Sequence, residues 1–337
     1  MERLKERVKQ SFIDNPVILM LCAMVVVLIA TVPSFLSWGN IVNIMKQISP
    51  TMIVAMGVTF VFISNAKDLS AASNMAFAAV VANLVMMRIG GTMGTVFGLF
   101  AAVLVGLLFG TINGFLVAKL QINPFIATLV TSLIFEGVGL VVTDAQTLSY
   151  MPKWLLMIAR TNILGLPAMM VFVIVVYLIG SYVLGHTGFG RCLYAVGTSR
   201  DAAFLSGVNP VKYKMIAYWI CGVCASVGGM MLSIRLGAAS QGMTKTVMLD
   251  IISAVLIGGA SMSGGKGSLL GTAFGVVALG LLSNGLDLLN VEYNVLTIIK
   301  GFIILIAVVM DAFKERTSDR RLIRLIKQER APAARKT

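Results

Sequence analysis

The chain has 337 residues, 58% of them hydrophobic and 12% charged, with a formal net charge of +13. Soluble domains carry about 25% charged residues, so this composition, with a mean hydropathy of +0.93, excludes an ordinary soluble fold. The basic excess gathers at the two ends of the chain, as membrane topology signals do, and argues against a nucleic-acid partner.

In chain order, the basic segment MERLKERVKQ opens a short N-terminal region over 1–15. Apolar stretches follow at 16–36, 48–64, 70–88, 93–118, 123–143, 168–185, 214–234, 248–262, 268–284 and 295–313. A helix of about 20 residues crosses a bilayer, so each stretch reads as one crossing. The run 16–36 exceeds a signal-peptide h-region and has no small-residue cleavage site, so it is expected to be retained. The stretches 48–64 and 248–262 are short enough to be broken or tilted helices. The expectation is an all-α polytopic membrane protein of about ten transmembrane helices over 16–313, followed by a basic tail over 314–337.

Charge tests that count. With the N-terminus in the cytoplasm and crossings alternating, twenty Lys and Arg residues lie inside and seven outside. The split favours both termini in the cytoplasm and an even number of crossings. A faint repeat adds an arrangement. Gly94-Thr-Val-Phe-Gly98 has a counterpart in Gly267-Ser-Leu-Leu-Gly271, and the Asn-Gly at 113–114 has one at 284–285. A five-helix unit duplicated in tandem gives two inverted repeats with a solute path between them.

Several motifs are weighed against plainer roles. Glycines at four-residue spacing (Gly106, Gly110, Gly114; Gly267, Gly271, Gly275) let membrane helices approach closely and carry no chemistry. The Gly-rich run SMSGGKGS at 261–268 fails the phosphate-loop test, because Lys266 is followed by Gly267 where Ser or Thr is required. It reads as a tight turn, and any ATP hydrolysis falls to a partner, so the chain itself is not expected to be an enzyme. Cys221 and Cys224 form a C-x-x-C inside an apolar stretch far from His186, the single histidine. They read as packing residues, with no metal site and no cofactor expected.

A charge at the centre of a membrane helix costs about 2.5–3.5 kcal/mol on insertion scales, so such residues face a cavity or a partner. Lys67, Asp68, Glu136, Asp250, Asp287 and Lys300 lie in or beside apolar runs. Asp250 suits a helix start, whereas Glu136 has no neighbouring cation. Asp68, Ser70, Asn74, Glu136 and Asn284 are the expected substrate pathway, since a polar solute needs replacements for its lost water. The connection at 186–213 is the longest expected inside. Its middle carries Ala202, Ala203, Ser206 and Gly207 as small residues with Leu205 and Val208 as apolar contacts, which suits docking on another protein.

Three segments in order resemble the permeases of ribose-, galactose- and xylose-type bacterial ABC importers. They are GVTFVFISNAKDLSAAS (Gly57–Ser73), FGRCLYAVGTSRDAAFLSGVN (Phe189–Asn209) and LDIISAVLIGGASMSGGKGSLLGTAFGVVALGLLSNGLDLL (Leu249–Leu289). The resemblance covers about 16–311. It implies a permease dimer of identical or paralogous copies in the bacterial inner membrane. It also implies two ABC ATPase subunits on the cytoplasmic side and an extracytoplasmic solute-binding protein. Residues Ala202, Ala203, Leu205, Ser206 and Gly207 would then form the ATPase coupling region, and a monosaccharide would be the solute. The chain departs from the family pattern at Asn65, Ala66 and Lys67, where glycines are usual. It departs again at Glu136, where Arg is frequent, and at Thr198-Ser-Arg200, which lacks the usual Asn and acid. The alternatives are an ion-coupled secondary transporter using Asp68 or Glu136, a membrane scaffold subunit without transport, and, within the importer reading, a nucleoside or signalling furanose as solute.

Overall fold

A computed structural model of the chain describes residues 25–292, 294–302, 305, 306 and 309. The two basic ends expected at 1–15 and 314–337 lie outside the described residues, as do parts of the first and last expected crossings.

Local chemistry sets the element boundaries. Residues 25–31 are helical, and α1 (Trp38–Ile63) then begins under a cap in which the Ser37 side chain accepts from Asn40 N–H. This start lies ten residues before the expected one. The first turns carry Asn40, Asn43, Lys46 and Gln47, so hydropathy alone misses a helix whose cap is explicit. Helix α2 (Ala71–Ile89) turns directly into α3 (Gly91–Gly114) through Gly90 and Gly91. Both glycines hold positive φ, a backbone region that only glycine adopts freely. Helix α3 ends in one π-helical turn, Phe115–Lys119. Asn123 caps α4 (Pro124–Val142), with Pro124 at its first position, where the missing N–H costs nothing.

A short amphipathic helix α5 (Lys153–Arg160) and a two-residue hairpin, β1 (Asn162–Ile163) with β2 (Leu166–Pro167), lead into α6 (Ala168–His186). The connection that follows is helical, as α7 (Gly188–Thr198) and α8 (Arg200–Leu205). Asn209 caps α9 (Pro210–Leu236), which stops at Gly237 in the left-handed conformation. The remaining elements are α10 (Val247–Ile257), α11 (Leu269–Leu288) and helical residues at 294–302.

Among the described residues, seven helices are long and apolar enough to cross a membrane: α1, α2, α3 with its π turn, α4, α6, α9 and α11. The expected stretch 248–262 is realised as α10, only 11 residues long. A polytopic helical membrane protein is therefore what the chain forms.

Helices α1 and α9 form the centre. In α1 83% of the most apolar window is buried, against 22% in α4, whose side chains mostly point outward. The four-residue glycine spacing explains how the centre closes. A Cβ on Gly106 or Gly110 would strike α9 backbone at Gly222 or at Tyr218 and Trp219, and a Cβ on Gly222 would strike Gly106. Gly271 meets Gly258, just past the end of α10, and Gly275 meets Ala254 of α10 in the same way. Lipid tails supply no hydrophobic drive between helices, so the close packing that backbone-to-backbone approach allows is one source of attraction, alongside interhelical hydrogen bonds.

Candidate functional site

The expected pathway residues fall in three places. Asp68, Ser70 and Asn74 come together in a buried polar knot at the α1–α2 connection. An Asp68 carboxylate oxygen accepts from Ser70 N–H at 2.9 Å and from the Ser70 hydroxyl at 2.6 Å. The Ser70 hydroxyl accepts in turn from Asn113 Nδ2 at 2.7 Å. Tyr218 donates to the Lys67 carbonyl at 2.7 Å, and Leu69 N–H donates to the Thr128 hydroxyl at 3.0 Å. Asn74 donates to the Gly222 carbonyl at 2.9 Å. Asp68 is 3% exposed. Burial pushes its carboxyl above the usual carboxylate range, although the Ser70 donors and the Cys221 thiol pull the other way.

The knot thus fastens one connection to α3, α4 and α9 at once. Sequence reading named Asp68, Ser70 and Asn74 but missed Asn113, Thr128 and Tyr218. The available signal was Asn113, one of the two repeated Asn-Gly pairs.

Glu136 stands apart, half-buried on α4, and it forms no ion pair among the described residues. Asn284 is at the opposite end of the fold, where it exchanges two hydrogen bonds with Asn40 at 2.8 and 3.0 Å. Asp250 lies in the first turn of α10, as a helix-start acid should, and is also paired with Lys300 at 2.9 Å. Lys300 is thereby a charge with an identified partner, which spacing alone did not reveal.

The long connection is a built structure. Helix α7 packs on the end of α1, where Gly197 touches the Ile63 carbonyl and the Phe189 and Phe60 rings lie 6.3 Å apart. The 261–268 turn closes on the same spot. Gly265 N–H donates to the Ile63 carbonyl at 2.9 Å, and Tyr194 donates to the Gly267 carbonyl at 2.6 Å. Helix α8 follows, capped by the Ser199 hydroxyl. Ala203 is buried against the chain itself, Ala202, Ser206 and Gly207 are exposed, and Phe204 and Leu205 project at 68% and 86% exposure. The outward face is therefore led by an apolar pair, of which only Leu205 was expected.

Among the described residues no group of three or more His, Cys, Asp and Glu side chains is placed to hold a metal ion. Cys221 and Cys224 are buried where Gly57 of α1 meets α9, so they pack as expected.

A family profile described as "Branched-chain amino acid transport system / permease component" matches residues 40–308. The chain belongs to this permease family. It is 34% identical over 314 residues to a ribose import permease protein of Escherichia coli K12, covering 91% of this chain and 96% of the relative. It is 32% identical over 277 residues to a D-allose transport system permease protein of the same organism, covering 82% and 84%. A probable ABC transporter permease protein of Sinorhizobium fredii is 32% identical over 285 residues, covering 84% of each. No solved structure matches the chain. The permease match runs from the first turn of α1 through α11, so the knot, the Asn40–Asn284 pair and the α7–α8 connection all lie within it.

Proposed function

We propose that this permease is the membrane subunit of an ATP-driven importer that carries a monosaccharide into the bacterial cytoplasm. The observation that carries the reading is near end-to-end similarity to permeases named for ribose and D-allose. The family description names branched-chain amino acids, but these relatives are named for sugars.

The finer assembly follows from the same reading. The chain makes ten crossings with both ends in the cytoplasm, in two inverted five-helix halves. Support for the halves comes from the glycines: Gly98 fits against the end of α2 as Gly271 fits against the end of α10. Two such subunits form the permease. Two ATPases meet the Ala202, Ala203, Leu205, Ser206 and Gly207 segment, and a solute-binding protein delivers sugar on the other face. Because α7, the end of α1 and the 261–268 turn are hydrogen-bonded together, a push on α8 reaches both halves.

Glu136 and Asn284 line the solute route. Asp68, Ser70 and Asn74 support it by holding the α1–α2 connection rigid.

The test is reconstitution into liposomes with a cognate ATPase and solute-binding protein. ATP-dependent uptake of radiolabelled ribose or allose is expected. Uptake of leucine with neither sugar transported would replace the reading. Cysteine labelling from each side checks orientation: 145–162 should react outside and 195–210 inside, and reaction from one side only would overturn the ten-crossing arrangement.

A further inference from the structure

A small cleft opens between α1, α10, α11 and the helical segment at 294–302. Its polar wall is drawn from all four elements. Gln47 and Thr51 stand one turn apart on α1, so both face the cleft. Ser283 comes from α11, Asp250 from α10 and Lys300 from the last segment, the last two paired at 2.9 Å. Ile48, Val276 and Leu279 supply an apolar floor. Gly280 lets α11 close on α1, because a Cβ there would strike Ile48.

The plain role of the ion pair is to fasten α10 to the last segment. A pair serving only that end is best sealed, since exposure weakens it and a membrane interior penalises any lapse. Here the Lys300 and Asp250 side chains keep 13% and 25% of their surface open, and an amide and two hydroxyls converge on the same opening.

We propose that this cleft is a transient binding station for a neutral polyhydroxylated solute, resting on the importer reading. The donor and acceptor set fits. The Asp250 carboxylate accepts, the Lys300 ammonium donates, and Gln47, Thr51 and Ser283 each do both. Every hydroxyl of a sugar is likewise donor and acceptor, so it finds partners in several poses, as a carrier that must also release its cargo requires. The charge balance selects among solutes. Asp250 and Lys300 neutralise each other, so neither pole of a zwitterionic amino acid meets an unpaired counter-charge. With the N-terminus inside, α1 and the last segment begin outside and α11 ends there. The cleft then lies in the outer half of the bundle, beyond which Asn40 and Asn284 meet. Solute released by the binding protein would encounter it early.

The experiment uses Thr51→Cys in a chain whose native cysteines are serine, reconstituted with its partners. The rate of modification by a methanethiosulfonate reagent is followed with ribose, allose or leucine at millimolar concentration. A sugar is expected to slow modification at least threefold and leucine to leave it unchanged. Thr51→Leu, which fills the cleft, is expected to cut sugar moved per ATP hydrolysed at least fivefold. Gln47→Leu serves in its place if that variant does not fold. Equal modification with and without either sugar, protection by leucine instead, or unchanged transport in the filled variant each overturns the proposal. The unsubstituted chain separates the two readings: no sugar uptake rejects the importer, whereas uptake with no sugar effect on labelling rejects the cleft alone.

Discussion

Asn40 and Asn284 hold each other by two reciprocal side-chain hydrogen bonds, although 244 residues separate them in the chain. Asn40 also donates to the Phe35 carbonyl at 2.9 Å. One amide pair therefore ties the segment before α1, the first turn of α1 and the end of α11.

Removing one partner should cost more than removing both. Asn284→Leu leaves the half-buried Asn40 side-chain oxygen without its donor while the Asn40 NH2 keeps Phe35, and an unsatisfied polar group costs about 1–3 kcal/mol when fully buried. The melting temperature of the detergent-solubilised permease should fall in Asn284→Leu and recover partly in Asn40→Leu/Asn284→Leu. A double variant that melts as the sum of two single losses would show that the amides do not act as a pair.

The contact between α3 and α9 allows a sharper test of packing. The Gly106 and Gly222 backbones touch, so Gly222→Ala must push these helices away from each other. Overpacking of this kind costs about 1–3 kcal/mol. Gly39→Ala, with open space around its added methyl, is the control and should melt like the parent chain. Equal stability of the two variants would remove close approach as the cause.

These two relationships also mark what the sequence could reveal. The glycine periodicity announced helix contacts, and the contacts exist, because spacing is a local property that survives folding. The apolar runs located the helices but misplaced the start of α1, where a capping serine outweighs a polar first turn. Asp68, Ser70 and Asn74 were legible as polar residues beside apolar runs, but their joint use with Asn113, Thr128 and Tyr218 was not. Each partner lies on a different helix, and no local pattern encodes that meeting. The cleft was hidden for the same reason: Gln47, Thr51 and Ser283 are ordinary polar residues until the folded helices bring them to one wall.

On the α7–α8 connection, the exposed apolar pair should carry the ATPase contact. Leu205→Asp places a charge on a side chain that is 86% exposed, so the membrane bundle loses nothing. A docking groove loses an apolar contact and must desolvate a carboxylate. Co-purification of the ATPase should drop at least tenfold with unchanged permease yield. Ala203→Arg acts differently, because Ala203 is buried, and it should reduce folded yield as well. Full ATPase retention by Leu205→Asp would assign the contact elsewhere.

Glu136 poses the question of charge in the route. It sits half-buried on a helix that otherwise turns apolar side chains outward, without an ion pair among the described residues. Pairing with Arg160 or another external cation would have made it structural, and no such bond forms among those residues. A carboxylate in a low-dielectric setting is retained where it faces water or a solute. Glu136→Gln keeps the shape and the hydrogen-bonding atoms while removing the charge. Expression and melting temperature should therefore hold steady, as should the affinity of the separate binding protein for its sugar. The uptake rate at matched protein levels should change by threefold or more. It should rise if the carboxylate holds sugar hydroxyls too tightly, and fall if the charge draws the solute through. Proteoliposome uptake with purified partners reads either result. An unchanged rate would place Glu136 outside the route and leave the cleft beside Asn284 as its principal polar surface.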